Sequence, residues 1–209
     1  MEILFEDREI IVCIKPCGVL SQSDDGAREN MISILQEHTG GMIYPLHRLD
    51  KEVSGVMVYA KTKFAAAALS QDIADHNFKK EYIALVHFAP KNESGEMRDL
   101  LFKDSKKNKS YVVKTQRKGV KEAVLEYKLI KTKNDISSVL VLLHTGRTHQ
   151  IRVQFASRGM PLIADKKYGA KDDFKEFGLY SYRLTFNHPK TKEKMQFYSK
   201  PKGIFEEYI

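Results

Sequence analysis

The chain has 209 residues, 42% of them hydrophobic, and 35 Lys and Arg against 27 Asp and Glu, a net charge of +8. This is too long for a minimal domain and short for two full ones, so one catalytic domain spanning 1–209 is expected. No apolar run is long enough to cross a bilayer and no h-region follows the charged first residues, which excludes a spanning protein or a signal peptide on this reading and gives a cytoplasmic expectation.

The basic surplus favours a polyanionic partner, although charge alone is an even bet. The two cysteines, Cys13 and Cys17, suit no zinc set by their spacing, and no second pair exists. They read as reduced thiols, with Cys13 buried in a strand. No Gly-rich phosphate loop is present, and neither a metal nor a cofactor is expected.

Ile3–Asp7 and Glu9–Lys15 are β-prone and predict a hairpin turned at Asp7–Arg8. Lys15–Pro16–Cys17–Gly18 breaks the second strand. Ser21 to Arg28 is polar and reads as a loop. Asn30 to His38 reads as a helix capped by Asn30 and closed by Gly40–Gly41. Met42–Leu46 is short and apolar, with Pro45 unsuited to a central strand. Val56–Ala60, bounded by Gly55, reads as a buried strand. Between these two runs, His47-Arg48-Leu49-Asp50-Lys51-Glu52-Val53-Ser54-Gly55 packs bases, acids and a hydroxyl into one short connection. Loops of that kind carry binding and catalytic groups, though a surface turn with local ion pairs is the commoner outcome.

Thr62 to Asn77 reads as a helix packing through Phe64, Ala67, Ala68, Leu69 and Ile73. Lys79–His87 reads as a strand with Tyr82, Ala84 and Val86 on its inward face. Pro90 to Glu122 is the least regular stretch, a solvated hairpin with a short strand signal at Tyr111–Val113. Lys103, Lys106, Lys107, Lys109, Lys114, Arg117, Lys118 and Lys121 crowd it. They fit either a guarded sheet edge or an arm that tracks phosphates. Ala123–Lys131 and Ser137–His144 read as a strand pair turned around Asn134–Asp135. From Thr148, a possible cap, the spacing of Ile151, Phe155 and Arg158 suits a helix. Arg147 therefore sits between a strand end and a helix start, a good place for a fixed guanidinium. Strands at Leu179–Phe186 and Met195–Tyr198 close the chain. The pattern predicts an α+β fold with a mixed, mostly antiparallel central sheet flanked by helices and loops.

Four blocks occur in order: HRLDKEVSG, KEYIALV, TGRTHQIR and GMPLIADKKYG. With the opening around Lys15–Leu20 and the tail LYSYRLTFNHP, they resemble the RluA-type pseudouridine synthases over nearly the whole chain. Departures fall at Val53 (usually Thr), His87 (usually Gly), Gln154 (usually His), Leu162 (usually Ile), Ala164 (usually Gly), Tyr180 and Ser181. The resemblance begins at residue 3, which implies the catalytic domain without the small RNA-binding domain many relatives carry.

The resemblance implies that the sheet and its flanking helices and loops surround a catalytic cleft, that Asp50 is the catalytic carboxylate, that Arg147 meets it, and that Tyr82 lies in the active site. It also implies that an apolar residue at Leu162 or Ile163 lines the base pocket. Arg48 is expected to hold a phosphate or the place vacated by a flipped base. Lys61 and Arg152 are weaker candidates for binding; a strand-end lysine and a packed or paired arginine are their plainer readings. His47 is at least as readily a structural histidine beneath the loop. The implied reaction breaks the base–sugar bond of a uridine in RNA, turns the base and rejoins it through carbon 5. One ionised carboxylate can stabilise or capture the positive charge that forms at the sugar. Tyr82 offers a ring for stacking, worth about 1–3 kcal/mol per base. The target base must be flipped or lie in a loop.

The expected partner is structured RNA, either transfer or ribosomal RNA, with no obligate protein partner and a monomeric state. A non-catalytic RNA chaperone of the same fold is the alternative, and retention of Asp50, Tyr82 and Arg147 argues against it. A glycoside hydrolase would want a second acid across the cleft, which none of the blocks supplies.

Overall fold

Local chemistry sets the first turns of the chain. In the computed structural model, which describes residues 1–22 and 29–209, β1 (Glu2–Glu6) and β2 (Ile10–Lys15) pair antiparallel. The Asp7 carboxylate accepts the N–H groups of Glu9 and Ile10 at 2.8 Å each and so fixes the turn between them. Residues 23–28 of the expected Ser21–Arg28 loop lie outside the described residues. Helix α1 (Met31–Thr39) starts in a reciprocal cap: the Asn30 side chain accepts from Ile32 and Ser33, and Ser33 Oγ accepts from Asn30 N–H. It ends at Gly40, whose φ of 66° a glycine adopts without steric cost.

Pro45 falls in the two-residue strand β3 (Tyr44–Pro45), which pairs with the end of β4 (Ser54–Ala60). Thr62 Oγ1 caps α2 (Lys63–Ala74). The buried stripe of α2 is Ala65 and Leu69, with Ala66 and Ile73 partly buried, while Phe64 is exposed. Leu69 and Ile73 of the expected face are interior, whereas Phe64 and Ala67 are exposed and Ala65 takes the inner position of the first turn.

The chain continues through β5 (Lys79–His87), β6 (Ser94–Asp104), β7 (Lys109–Val113), β8 (Val120–Lys133), β9 (Ile136–Leu143) and α3 (Gln150–Ala156). It closes with β10 (Leu179–Asn187), β11 (Lys194–Tyr198) and α4 (Phe205–Tyr208). These elements form two compact units, Met1–Lys80 with Tyr180–Lys200 and Glu81–Leu179 with Pro201–Ile209.

In the first unit the strand order is β1-β2-β4-β10, with β11 on β10. Among the described residues its strands pair antiparallel, except β4 with β10, which run parallel. Ile10, Val12, Val56, Val58, Leu69, Leu184 and Phe186 fill its core, and Phe78 stacks on Phe186 at 5.1 Å. The second unit carries the order β5-β9-β8-β6-β7. Its least regular stretch by sequence is in fact a long hairpin, β6 with β7, whose eleven-residue strand β6 also pairs along β8. The β8–β9 turn is tight, with Asn134 and Asp135 both left-handed at φ 50° and 60°, the geometry that suits a two-residue hairpin. Few helices and mostly antiparallel pairing make the fold α+β, as expected. Among the described residues no helix is long and apolar enough to cross a membrane.

Candidate active site

The Asp50 loop belongs to the first unit. Leu49 and Val53 are buried on either side of Asp50, which is half-buried, and Arg48 between them and His47 points outward. The loop is gripped through its own backbone. Ser21 Oγ donates to Leu49 O at 2.9 Å and accepts Leu49 N–H at 3.0 Å. Gly18 N–H and Lys15 Nζ both reach Lys51 O, at 2.9 and 3.2 Å. Cys17 Sγ donates to Glu52 O at 3.2 Å, and Val53 N–H closes the turn on Asp50 O at 3.1 Å. A valine suits position 53 because the side chain is a loop anchor, 1% exposed. Arg48 is exposed and has no hydrogen-bond or ion-pair partner among the described residues.

Lys15 is one residue that sequence reasoning missed. It reads as the end of a strand, yet it is fully buried, and its ammonium also donates to Pro16 O and Val19 O at 2.9 and 2.6 Å. Burial pulls its pKa down to about 8, against the opposing pull of Cys17, Glu52 and Asp50. The one sequence signal was a lysine directly continuing the apolar run Ile10–Ile14. The chain also returns Cys13 and Cys17 as free thiols, the first buried as expected and the second exposed.

His47 is a structural histidine. Its Nε2 accepts Val58 N–H at 3.4 Å, and its ring lies 5.7 Å from that of Phe78. Burial, with a smaller push from Lys80, takes its pKa down to about 3. The ring is therefore neutral, and the proton sits on Nδ1, which is buried without a partner among the described residues. Gly55 follows at φ 121°, where a Cβ would collide with the Ser181 backbone of the paired strand. Ser181 Oγ donates to Val56 O at 2.9 Å on the same edge. Lys61, at the far end of β4, spends its ammonium on Glu6 Oε1 at 2.5 Å and Asp7 O at 2.7 Å. That tie holds β1 to β4 and leaves a phosphate contact there without support.

The second unit holds Tyr82, Arg147, Arg152, Leu162 and Ile163. Tyr82 is 5% exposed, and Ile83, Ala84, Leu85 and Val86 are equally buried. Strand β5 is thus covered on both faces, where the alternation predicted one. Pro161–Ile163 runs alongside it: His87 N–H reaches Pro161 O at 2.9 Å, Ile163 N–H reaches Leu85 O at 3.0 Å, and Leu162 bridges Val86. Leu162 and Ile163 are both fully buried.

The TGRTHQIR turn is fixed by Gln150. Its Oε1 accepts from Thr145 Oγ1 at 2.7 Å and from Arg147 N–H at 3.0 Å, while its Nε2 donates to Val124 O at 3.1 Å. The helix starts at Gln150, one residue later than the Thr148 cap predicts, because His149 adopts φ 53° and turns the chain first. Arg147 Nε donates to Glu122 O at 2.8 Å, and its two terminal nitrogens have no partner within the second unit. Arg152 is buried in a two-bond pair with Asp165, Nε–Oδ2 2.7 Å and Nη2–Oδ1 2.8 Å, with its guanidinium 5.2 and 5.0 Å from the rings of Tyr168 and Phe177. It organises the block rather than meeting solvent.

Ala164 stands at φ 59°, a left-handed conformation that costs a non-glycine residue about 1 kcal/mol. The basic hairpin is docked on the same block. Ser110 N–H donates to Tyr168 Oη at 2.8 Å, Ser110 Oγ to Thr148 O at 2.7 Å, and Lys109 Nζ to Lys167 O at 2.5 Å. Arg117 lies 4.9 Å over the Phe102 ring. Lys103, Lys106, Lys107, Lys114, Lys118 and Lys121 are exposed.

A sequence profile of the family described as RNA pseudouridylate synthase matches residues 9–157. The chain is 36% identical to an RNA pseudouridine synthase of Aquifex aeolicus, covering 94% of this chain and 68% of that protein. It is 31% identical to the ribosomal large subunit pseudouridine synthase D of Zymomonas mobilis, with the same two coverages. Among solved structures, human RNA pseudouridylate synthase domain containing 1 is similar in fold, with a TM-score of 0.80 at 21% identity over 96% of this chain and 83% of that one. The chain belongs to the RNA pseudouridylate synthase family: it is an RNA pseudouridine synthase, an isomerase.

Proposed function

We propose that Asp50 is the catalytic group and that it acts at the ribose of a uridine in structured RNA. The observation that carries this reading is the loop itself. Leu49 and Val53 anchor it, four neighbours hold its backbone, and the half-buried Asp50 follows the exposed Arg48, which has no partner among the described residues, by two positions. A carboxylate presented with so little freedom loses little entropy when it meets a substrate. As the base–sugar bond breaks, the carboxylate stabilises or captures the positive charge at the sugar. The detached uracil then turns and rejoins through carbon 5.

Arg147 serves as the counter-charge of Asp50, and Tyr82 stacks on the base, with its hydroxyl near the proton leaving carbon 5. Arg48 holds a phosphate of the flipped nucleotide. Leu162 and Ile163 back the base pocket, Arg152 supports the same block through Asp165, and the exposed lysines of the β6–β7 hairpin track the RNA backbone. Because relatives such as the Zymomonas protein carry the name of ribosomal large subunit synthases, ribosomal RNA is the leading target and transfer RNA the second. The enzyme works as a monomer in the cytoplasm.

The test is tritium release from RNA labelled at carbon 5 of uracil, prepared from cells lacking this gene. Wild type is expected to release tritium, and Asp50→Asn to bind the same RNA while releasing none. Turnover by Asp50→Asn would remove Asp50 from the mechanism. Fractionating the RNA by size then identifies the target. Tyr82→Phe is expected to bind RNA and lose turnover, and unchanged turnover would remove the hydroxyl from the scheme.

A further inference from the structure

We propose that Asp172, which lies outside every motif, and its partner His87 are positioning residues that set the Ala164 turn on which the Asp165–Arg152 pair depends. The inference rests on the reading that the Gly159–Gly169 block serves the substrate. The Asp172 side chain is 9% exposed and is surrounded by donors. Its Oδ1 accepts the N–H groups of Ala164 at 3.0 Å and Phe174 at 3.1 Å, and its Oδ2 accepts from His87 Nε2 at 2.6 Å. Ala164 needs such an anchor, because its left-handed φ of 59° is disfavoured for any residue bearing a Cβ.

His87 grips the block twice. Its own N–H goes to Pro161 O at 2.9 Å, and its ring reaches Ala164 through Asp172. Between these two points Leu162 and Ile163 are pinned to β5. One residue beyond Ala164, Asp165 takes Arg152 in two bonds. A change in the Ala164 turn therefore displaces the Asp165 carboxylate, and with it the arginine of the TGRTHQIR helix. His87 and Ala164 are both positions where the resembling sequences usually carry glycine. Here a side chain at each is accommodated by one carboxylate.

The test uses the full chain and two readouts, single-turnover tritium release from carbon-5-labelled cellular RNA and hydrogen exchange at the Ala164 amide. Asp172→Ala is expected to slow release about tenfold or more, the scale of a small misplacement of positioned groups, with RNA binding retained and Ala164 exchange accelerated. Ala164→Gly, which adopts the turn without help, is expected to restore the rate in the Asp172→Ala background. His87→Gln keeps an N–H donor and is expected to hold the wild-type rate, whereas His87→Leu falls toward Asp172→Ala. A wild-type rate with wild-type exchange in Asp172→Ala overturns the proposal, as does a loss that Ala164→Gly leaves uncorrected. If the wild type itself releases no tritium, the reading of the substrate fails, and the exchange measurement on Asp172→Ala still decides whether the latch exists.

Discussion

The Asp50 loop and the Gly159–Gly169 block are held by opposite chemistries. The loop is gripped from outside by donors aimed at its carbonyls: Ser21 on Leu49, Lys15 and Gly18 on Lys51, Cys17 on Glu52. The block is organised by acceptors of its own neighbourhood, the carboxylates of Asp165 and Asp172, which collect Arg152, His87 and backbone N–H groups. Around Asp50, the carboxylate proposed to react, the scaffold is built from hydroxyl, thiol, amide and one buried ammonium. Where no carboxylate is asked to react, carboxylates are spent on structure. The two regions should therefore fail under different substitutions and at different ends of the pH scale.

The largest effect is expected at Asp165. Asp165→Ala removes the two-bond carboxylate from the buried Arg152 guanidinium, a loss of about 3–5 kcal/mol. At roughly 2–4 °C per kcal/mol for a chain of this size, the melting temperature should fall by about 10 °C or more. A fall of only a degree or two in a thermal scan would mean that the pair is not the organiser of the block.

Next is Lys15. Lys15→Met removes the donor from three carbonyls and also removes a buried charge, so the net cost is expected to be smaller, about 2 kcal/mol. The folded pKa of about 8 lies below the ordinary 10.5. As pH rises from 8 to 10.5 the folded state gives up the proton while the unfolded state keeps it, so this group makes stability rise across that window. Activity should move the other way. Discharge of the ammonium loosens its hold on Lys51 O, beside Asp50, and tritium release should decline above about pH 8 while denaturant midpoints hold or rise. Parallel decline of both would show that the alkaline limb is unfolding rather than a loosened loop.

How much of this could be read from the residues follows the reach of each contact. The Asp7 turn, the Asn30 cap and the Asn134–Asp135 hairpin were legible because each is closed within a few positions. The four motif blocks were legible as blocks, and Gly55 shows why one of their residues admits no side chain. On α2, Leu69 and Ile73 were legible as interior, but Phe64 and Ala67 were misread, because the first turn after the Thr62 cap buries Ala65 instead. Lys15, Asp165 and Asp172 were not legible as site residues. Their partners come from loops brought near by the fold, 36 residues away for Lys15 and Lys51 and 85 for His87 and Asp172. A lysine and two aspartates look solvated until those loops arrive.

The acid side of the comparison is tested at Asp172. Burial raises its pKa, but the His87 hydrogen bond and the N–H groups of Ala164 and Phe174 outweigh it and hold the group below 3.8. With the folded pKa depressed, its contribution is fully present above the unfolded value and is lost as pH falls through the folded one. Glu6, through its hydrogen bonds from Lys61 and His38, and Asp7, against burial through backbone N–H groups and His188, are also lowered in the first unit, so Asp172 shares the acid limb with them. Asp172→Asn isolates one share. It should cost about 1 kcal/mol at neutral pH, where a charge-assisted bond becomes a neutral one, and wild type and variant should converge below the carboxylate range. Curves that stay parallel down to low pH would remove Asp172 from the acid limb.

The smallest effect asked for is at Val53, and it separates shape from chemistry in the Asp50 loop. Resembling sequences usually place threonine there, and Val53→Thr restores the hydroxyl at nearly constant volume. The side chain is 1% exposed, and its N–H already closes the turn on Asp50 O. Burying a hydroxyl is unfavourable unless it finds an acceptor, and the Asp50 carbonyl can take a second donor, so the change should cost about 1 kcal/mol or less. If position 53 only anchors the loop, the variant should release tritium at the wild-type rate. A gain or loss of about tenfold, equivalent to 1.4 kcal/mol in the barrier, would mean that the hydroxyl reaches the reacting nucleotide. The loop would then be more than a mount for Asp50, and its valine would be a functional departure instead of a packing choice.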